Sequence, residues 1–122
     1  MSYMDEVRSA IESTYIGNCD IIEHIKSRNA FTKQNEYNER TVLNKIKCRL
    51  SFETISNTSQ SSTTNNSNQI VKLFIAPELQ IKEGSKIIVT QNNRTDTYKN
   101  SGKPAIYETH QEIILELFDG WA

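Results

Sequence analysis

The second half of the chain is a series of short apolar runs separated by turn-forming residues, and this pattern predicts β-strands. The runs cover residues 69–76, 86–91, 94–100 and 110–118. Because asparagine tolerates positive φ, Asn92 and Asn93 predict a tight hairpin turn between two of the runs. In the last run, Ile113, Leu115 and Leu117 share one face if the segment is extended. We therefore expect a mainly β fold, a small antiparallel β-barrel or sandwich.

The chain begins with a predicted helix from about residue 3 to residue 16, with Ser2 as its N-cap and Gly17 as its stop. Its apolar stripe, with residues at steps of three and four, consists of Met4, Val7, Ile11 and Tyr15. Such a stripe fits either the domain's own core or a neighbouring chain. The expected organisation is a helix over residues 1–17 and a β-barrel domain over residues 18–122.

Two stretches between the helix and residue 56 also predict strands. Residues 18–26 form the first, and residues 45–54 show the cleanest alternation in this half of the chain. The apolar face of the second stretch consists of Ile46, Cys48, Leu50 and Phe52. Residues 27–39 are polar without a clear period, so they are either a loop or the hairpin link to a strand near residues 37–43.

A polar segment without charged, apolar, glycine or proline residues separates two predicted strands. It comprises Ser56, Asn57, Thr58, Ser59, Gln60, Ser61, Ser62, Thr63, Thr64, Asn65, Asn66, Ser67 and Asn68. A segment of this composition cannot bury enough apolar surface to order itself. We expect a flexible loop at the tip of a hairpin, which is either inert or functional.

Charge and hydropathy narrow the class of protein. The chain has 14 Lys and Arg against 15 Asp and Glu, and no strongly basic segment, which argues against a free-standing nucleic-acid binder. Its apolar runs are too short for a transmembrane helix, and its N-terminus lacks the apolar core of a signal peptide. We therefore expect a protein that stays in the cytoplasm or enters an assembly there.

The residue types that carry chemistry are sparse. Cys19 and Cys48 form no CxxC pair, so reduced thiols are expected, with a disulfide as the alternative. A zinc site from these cysteines with His24 and His110 would lack the closely paired ligands typical of zinc. No catalytic triad spacing is present, so we expect no enzymatic activity, no metal and no cofactor.

Several segments resemble the head-completion (head-closure or neck) proteins of tailed bacteriophages, particularly those of prophages and phage-like particles of low-GC Gram-positive bacteria. They are residues 1–12, 15–16, 19, 48–52, 72–78, 102–107 and 110–118. The resemblance covers nearly the whole chain except residues 27–45 and the polar loop.

This resemblance implies a structural role in the virion neck, with assembly in the bacterial host cytoplasm. Such proteins form a homo-oligomeric ring, here expected to be twelvefold or sixfold, below the portal or its adaptor and above the tail terminator or tail tube. The ring joins the head to the tail and helps to retain packaged DNA, without a membrane, cofactor or enzymatic activity. The near-neutral charge is suited to a channel that must let DNA pass.

The candidate residues follow from this role. The polar loop is expected either in the channel or on the outer rim, and the candidate subunit interface consists of Val7, Ile11, Tyr15 and Trp121. Trp121 is the only tryptophan, and burial of its large ring is expected on its own barrel or on a partner. The alternatives are a tail-terminator or tail-tube ring protein, or a monomeric OB-type nucleic-acid-binding barrel. The candidate base-stacking residues of the OB-type barrel are Tyr37, Tyr98 and Tyr107.

Overall fold

The computed structural model describes residues 3–56 and 67–121. In this part of the chain one helix, α1 (Tyr3–Glu12), precedes seven strands. The strands are β1 (Gly17–Arg28), β2 (Asn35–Ser56), β3 (Ser67–Ile75), β4 (Lys86–Gln91), β5 (Arg94–Asn100), β6 (Ala105–Ile106) and β7 (Gln111–Leu117).

The strands form one antiparallel sheet that closes on itself. Its order is β3-β2-β1-β4-β5-β7-β6, and β3 also pairs with β7 through Val71↔Leu115 to Ile75↔Gln111. The other edge of β7 pairs with β6 at Gln111 and with β5 at Leu117. This arrangement confirms the predicted mainly β fold with an N-terminal helix. Closure also leaves the long strands paired on both sides over part of their length, which limits exposed edges.

The core fills the inside of the closed sheet. Its buried apolar residues are Cys19, Ile21, Cys48, Leu50, Leu73, Ile75, Ile81, Ile87, Val89, Tyr98, Ile113 and Leu115. Within each strand they occupy alternate positions, as the period of a half-buried strand requires. The predicted inward faces around Cys48 and Ile113 are therefore correct. Both faces continue to exposed residues, however, because Phe52 is 52% and Leu117 is 70% exposed.

A crossing segment, residues 76–85, connects β3 to β4 on the opposite side of the ring. Ile81 from this segment reaches the core and is only 4% exposed. Gln111 Nε2 donates hydrogen bonds to the carbonyl oxygens of Ala76 at 2.8 Å and Leu79 at 2.6 Å. Asn100 Nδ2 likewise donates to the carbonyls of Ile81 and Lys82, at 3.2 and 3.1 Å. Two buried amides thus fix the crossing segment.

The pairing of β1 with β2 is irregular, which the sequence pattern did not reveal. The register shifts between Cys19 and Ile22, so Ile21 and Ile22 are both buried and the predicted alternation fails there. Lys45 has a positive φ of 58° less 7°, that is 51°, and its backbone N–H donates to Asp20 Oδ1 at 2.8 Å. β2 therefore runs through Lys45 as one bent strand instead of two.

The segment predicted as a loop or hairpin link is mostly strand. β1 extends to Arg28 and β2 begins at Asn35, so the link between them covers only residues 29–34. The pairing continues to the last pair, Arg28↔Asn35, without the apolar alternation that marks a half-buried strand. The hairpin interpretation is therefore the correct one.

The helix is shorter than predicted. It ends at Glu12, because the hydroxyl groups of Ser13 and Thr14 donate to the carbonyls of Ala10 and Ile11, each at 2.6 Å. Gly17 is accordingly the first residue of β1 and not the helix stop. The predicted N-cap, Ser2, lies outside the described residues.

Both predicted hairpin ends can be compared with the structure. Asn92 and Asn93 have φ values of 54° and 63° between the paired residues Gln91 and Arg94, which confirms the tight turn. The polar loop is shorter than predicted, because Ser56 pairs with Ser67 and Ile55 with Asn68. Thus Ser56, Ser67 and Asn68 belong to strands, since backbone pairing continues past the apolar residues. Residues 57–66 lie outside the described part of the chain.

We expect Gln111→Leu to destabilise the fold by about 1–3 kcal/mol, because it leaves buried carbonyls of the crossing segment without a donor. Urea denaturation measures this change. Gln80→Leu is the matched control, since Gln80 is exposed on the same segment. Equal stability of the two variants would show that the Gln111 hydrogen bonds do not fix the crossing segment.

Candidate assembly interface

The residues considered for chemistry do not gather in one place. Cys19 and Cys48 are free and buried, whereas His24 and His110 belong to two separate aromatic clusters. A hydrogen bond with Cys48, together with burial, raises the pKa of the Cys19 thiol above its ordinary value, which keeps it protonated. No group of three or more His, Cys, Asp or Glu residues suited to a metal ion is found in residues 3–56 and 67–121.

Membrane insertion by a helix was also considered. Of the described segments, none forms a helix with the length and apolar character needed to cross a bilayer.

The predicted stripe residues of the N-terminal segment line one open groove, which we call the helix groove. It has a volume of about 430 Å³ and is lined by Val7, Ala10, Ile11, Thr14, Tyr15, Arg49, Phe74 and His110. α1 has no fully buried residue, so the sheet covers its apolar stripe only in part. The structure therefore brings Val7, Ile11 and Tyr15 together on an accessible surface, although Tyr15 follows the helix instead of belonging to it.

Polar contacts hold the helix segment beside the sheet. Arg8 lies between two carboxylates: its Nε is 3.2 Å from Glu12 Oε2, and its terminal nitrogen bonds to Glu78. These groups are substantially solvent-exposed, so the contacts orient the helix more than they stabilise it. Tyr15 is half-buried at the same groove, and burial raises the pKa of its phenol.

Trp121 packs on its own sheet, in an aromatic cluster that we call the tryptophan clamp. Its indole stacks on His24 with the ring centres 4.5 Å apart, and Phe118 approaches it edge-on at 5.1 Å. Trp121 Nε1 donates to Glu39 Oε2 at 2.9 Å, and Lys86 Nζ lies 2.9 Å from the same oxygen. Of the two positions expected for Trp121, the structure of the single chain shows the one on its own sheet.

The clamp joins segments that are far apart in sequence, which is why only Trp121 was identified beforehand. Glu39 lies 82 positions before Trp121. His24 also contacts Tyr37 on the paired strand, with ring centres 5.0 Å apart. The clamp therefore ties the chain after β7 to the β1–β2 hairpin.

A second aromatic cluster borders the helix groove. His110 stacks on Tyr107 with ring centres 4.9 Å apart and also faces Phe74 at 5.7 Å. Its ring nitrogens lie 3.0 Å from Glu112 Oε2 and 3.1 Å from Thr109 Oγ1. The sequence indicated only a surface or turn histidine here, because these partners meet through the turn before β7.

The tyrosines proposed for an OB-type base-stacking surface do not form one. Tyr98 is 5% exposed and belongs to the core, so it cannot stack on bases. Tyr37 contacts His24, whereas Tyr107 contacts His110 in the other cluster. This part of the OB interpretation is therefore wrong.

Sequence reasoning missed one exposed aromatic residue. Phe31 lies in the link between β1 and β2 and is 97% exposed. The polar character of the surrounding residues hid it, although a phenylalanine within a turn was a visible signal.

Comparisons with known proteins give one likeness of fold. No protein-family model matches the chain, and no curated protein matches it. Among solved structures, the chain is similar to the xkdH protein of the phage-like element PBSX from Bacillus subtilis. The TM-score is 0.52 at 14% sequence identity, and the match covers 82% of this chain and 91% of that one. At this identity the likeness shows a shared fold.

The clamp should respond to acid. A hydrogen bond from Lys86, supported by one from Trp121, lowers the pKa of Glu39 below its ordinary value. Because the folded-state pKa is depressed, this contribution to stability is present above the unfolded-state pKa and is lost as pH falls through the folded-state value. We expect blue-shifted, poorly quenched Trp121 emission at neutral pH and a red shift below about pH 4.

Glu39→Gln should weaken this acid-induced red shift, since a carboxamide does not titrate. Glu108→Gln is the control, because Glu108 is exposed and outside the clamp. Emission typical of free tryptophan at neutral pH, or an unchanged acid response in Glu39→Gln, would contradict the clamp.

Proposed function

We propose that this protein is a structural component of the neck of a tailed phage or phage-like particle. In this role it forms a homo-oligomeric ring that joins the DNA-filled head to the tail and helps to retain DNA. The observation that carries the proposal is the fold, which matches 91% of a protein from the phage-like element PBSX. The segments at both ends of the chain that resemble head-completion proteins support the same role.

The surface of the chain is consistent with assembly. The helix groove presents Val7, Ile11 and Phe74 at an open apolar site. Exposed apolar groups elsewhere include Phe31 and Ile106, which lie on other elements. A cyclic ring brings unlike surfaces of adjacent copies together, so a chain with different apolar sites on different sides is suited to it.

The proposed position lies between the portal or its adaptor and the tail terminator or tail tube. The ring would be twelvefold or sixfold, and its work would be mechanical, without catalysis or a cofactor. The net charge of -1 supports a lumen through which DNA passes without strong retention. A tail-terminator or tail-tube ring remains the alternative, which only the position in the particle separates.

Removal of the gene from a producing strain tests the role. We expect DNA-filled heads without tails, or heads that have lost DNA, in electron micrographs, and restoration when the chain is supplied again. Gold labelling of a tagged copy should mark the junction of head and tail. Complete particles without this chain would reject a neck role, and label along the tail or at its upper end would favour the alternative.

The polar loop provides a second test of this role. Ser56 and Ser67 form the last pair of the β2–β3 hairpin, so residues 57–66 leave the sheet at its tip. We propose that this segment lies in or near the ring's channel, where uncharged hydroxyl and amide groups can bond to neighbouring copies. Replacing residues 59–66 with a short Gly-Ser link should then reduce DNA retention and tail attachment.

The control for this replacement keeps the same residues in scrambled order, which preserves their length and composition. DNA retention is measured by nuclease sensitivity, and tail attachment by electron microscopy. Particles that keep DNA and tails as well as the parent after the Gly-Ser replacement would contradict a closing role and favour an outer-rim position.

A further inference from the structure

The end of the β1–β2 hairpin projects beyond the closed sheet, and we call residues 23–40 the arm. β4 pairs with β1 only over residues 18–22, whereas the pairing of β1 with β2 continues from Glu23↔Arg40 to Arg28↔Asn35. Side chains over residues 26–28 and 30–42 are exposed on both faces of this ribbon. Because an isolated two-stranded ribbon is marginal in water, its form needs support at the base or the tip.

The structure provides support at the base. The tryptophan clamp contacts both strands of the arm, since Trp121 stacks on His24 of β1 and donates to Glu39 of β2. Lys86 of β4 bonds to the same Glu39 carboxylate. The arm is therefore attached to the sheet through side chains as well as through its continuous backbone.

The tip is also a built turn. Asn29 Oδ1 accepts hydrogen bonds from the backbone N–H of Phe31 at 2.8 Å and of Thr32 at 3.2 Å. The Asn29 N–H donates to the Gln34 carbonyl at 2.9 Å, and Lys33 adopts a positive φ of 58°. This geometry holds the Phe31 side chain in solvent, where it is 97% exposed. A preorganised turn that displays a bare aromatic ring is a feature of recognition surfaces.

The charge of the tip indicates what surface it can meet. Residues 26–34 contain Lys26, Arg28 and Lys33 and no acidic residue. The nearest following acid, Glu36, bonds to Asn29 Nδ2 at 2.7 Å. The tip thus combines one apolar ring with three positive charges, which favours an apolar site with an acidic border.

The helix groove has this character. Its floor is apolar and its volume of about 430 Å³ can take an aromatic ring. The helix beside it carries Asp5, Glu6 and Glu12, and Glu78 bonds to Arg8 at its edge. Even with Arg8 and Arg49 counted, four carboxylates face two guanidinium groups, so the border is net negative.

The other open apolar site is a poorer match. It lies at the end of the sheet, around Phe52 and Leu117, where Arg94 and Asp96 balance each other. Since its polar border carries no excess of negative charge, it offers the basic tip no electrostatic preference. Charge complementarity therefore selects the helix groove.

We propose that the Phe31 tip of one copy inserts into the helix groove of the next copy in the ring. This inference rests on the ring role proposed above. Phe31 does not fill the groove of its own chain, because it is almost fully exposed. Arm and groove are unlike surfaces, so the contact is head-to-tail, and repetition around an axis closes a ring. Lys26, Arg28 and Lys33 then lie near the acidic side of the neighbouring helix.

Site-specific photocross-linking tests the contact in assembled particles. A photoreactive benzoyl-phenylalanine replaces Phe31, and mass spectrometry identifies the peptide that it joins. We expect links between two copies of this chain, to residues 3–15 or to the peptide containing Phe74. The same photoreactive group at Ile106, which is 67% exposed outside arm and groove, is the control and should give a different pattern. Links from position 31 to another protein, to DNA, or to peptides around Phe52 would overturn the proposal.

Charge exchange tests the electrostatic part with purified protein. Phe31→Ala and Val7→Glu should each weaken self-association in sedimentation experiments on the order of tenfold or more. Lys33→Glu and Glu6→Lys should each weaken it less, and their combination should recover association towards the parent, because every copy then carries an exchanged arm and an exchanged groove. A double variant no better than the single ones would contradict this contact. Circular dichroism and Trp121 emission confirm that each variant is folded.

The outcomes separate this inference from the ring role. Particles that join head to tail normally with Phe31→Ala, while the chain remains necessary for joining, would reject the arm contact and leave the neck role intact. Complete particles without the chain would reject the neck role itself. Arm cross-links between copies in the purified protein would still support the contact in that case.

Discussion

The fold depends on how the chain crosses the end of its own ring. β3 and β4 lie on opposite sides of the closed sheet, so the segment between them must pass over the core and bring backbone carbonyls with it. Asn100 and Gln111 supply the donors that these carbonyls need, from strands that also form the wall. Since buried carbonyls are costly when unpaired, the two amides allow Ile81 to complete the core.

With the wall paired and one end crossed, the regions free for recognition lie at the ends of β2. This strand has 22 residues and would span about 70 Å if it were straight. One end forms the arm with β1, and the other leads to the polar loop after Ser56. The bend at Lys45, fixed by Asp20, sets the direction of the arm relative to the wall. A neck protein must contact neighbours around the ring and also face its axis, and one long strand provides for both.

The sequence predicts the parts of this fold where one face is buried. β4 and β5 begin and end where the pattern places them, because the core imposes a period of two and Asn92 and Asn93 can adopt positive φ. The arm is exposed on both faces, so its strands have no such period and resemble a loop. The partners of Trp121 could not be predicted either, because the clamp depends on which strands become neighbours.

Phe52 and Leu117 show a further limit of the pattern. Alternation tells which face a side chain occupies, and both residues do follow the inward face of their strands. It does not tell where the core ends, since that depends on how far the opposite walls remain close. These two residues still adjoin the core around Leu50, Tyr98 and Leu115, so their exposure is an extension of the interior. Phe31 has no such continuity with the core, because its turn stands at the end of a ribbon. Burial of Phe31 therefore requires another molecule, whereas small movements of the surrounding wall can change the exposure of Phe52 and Leu117.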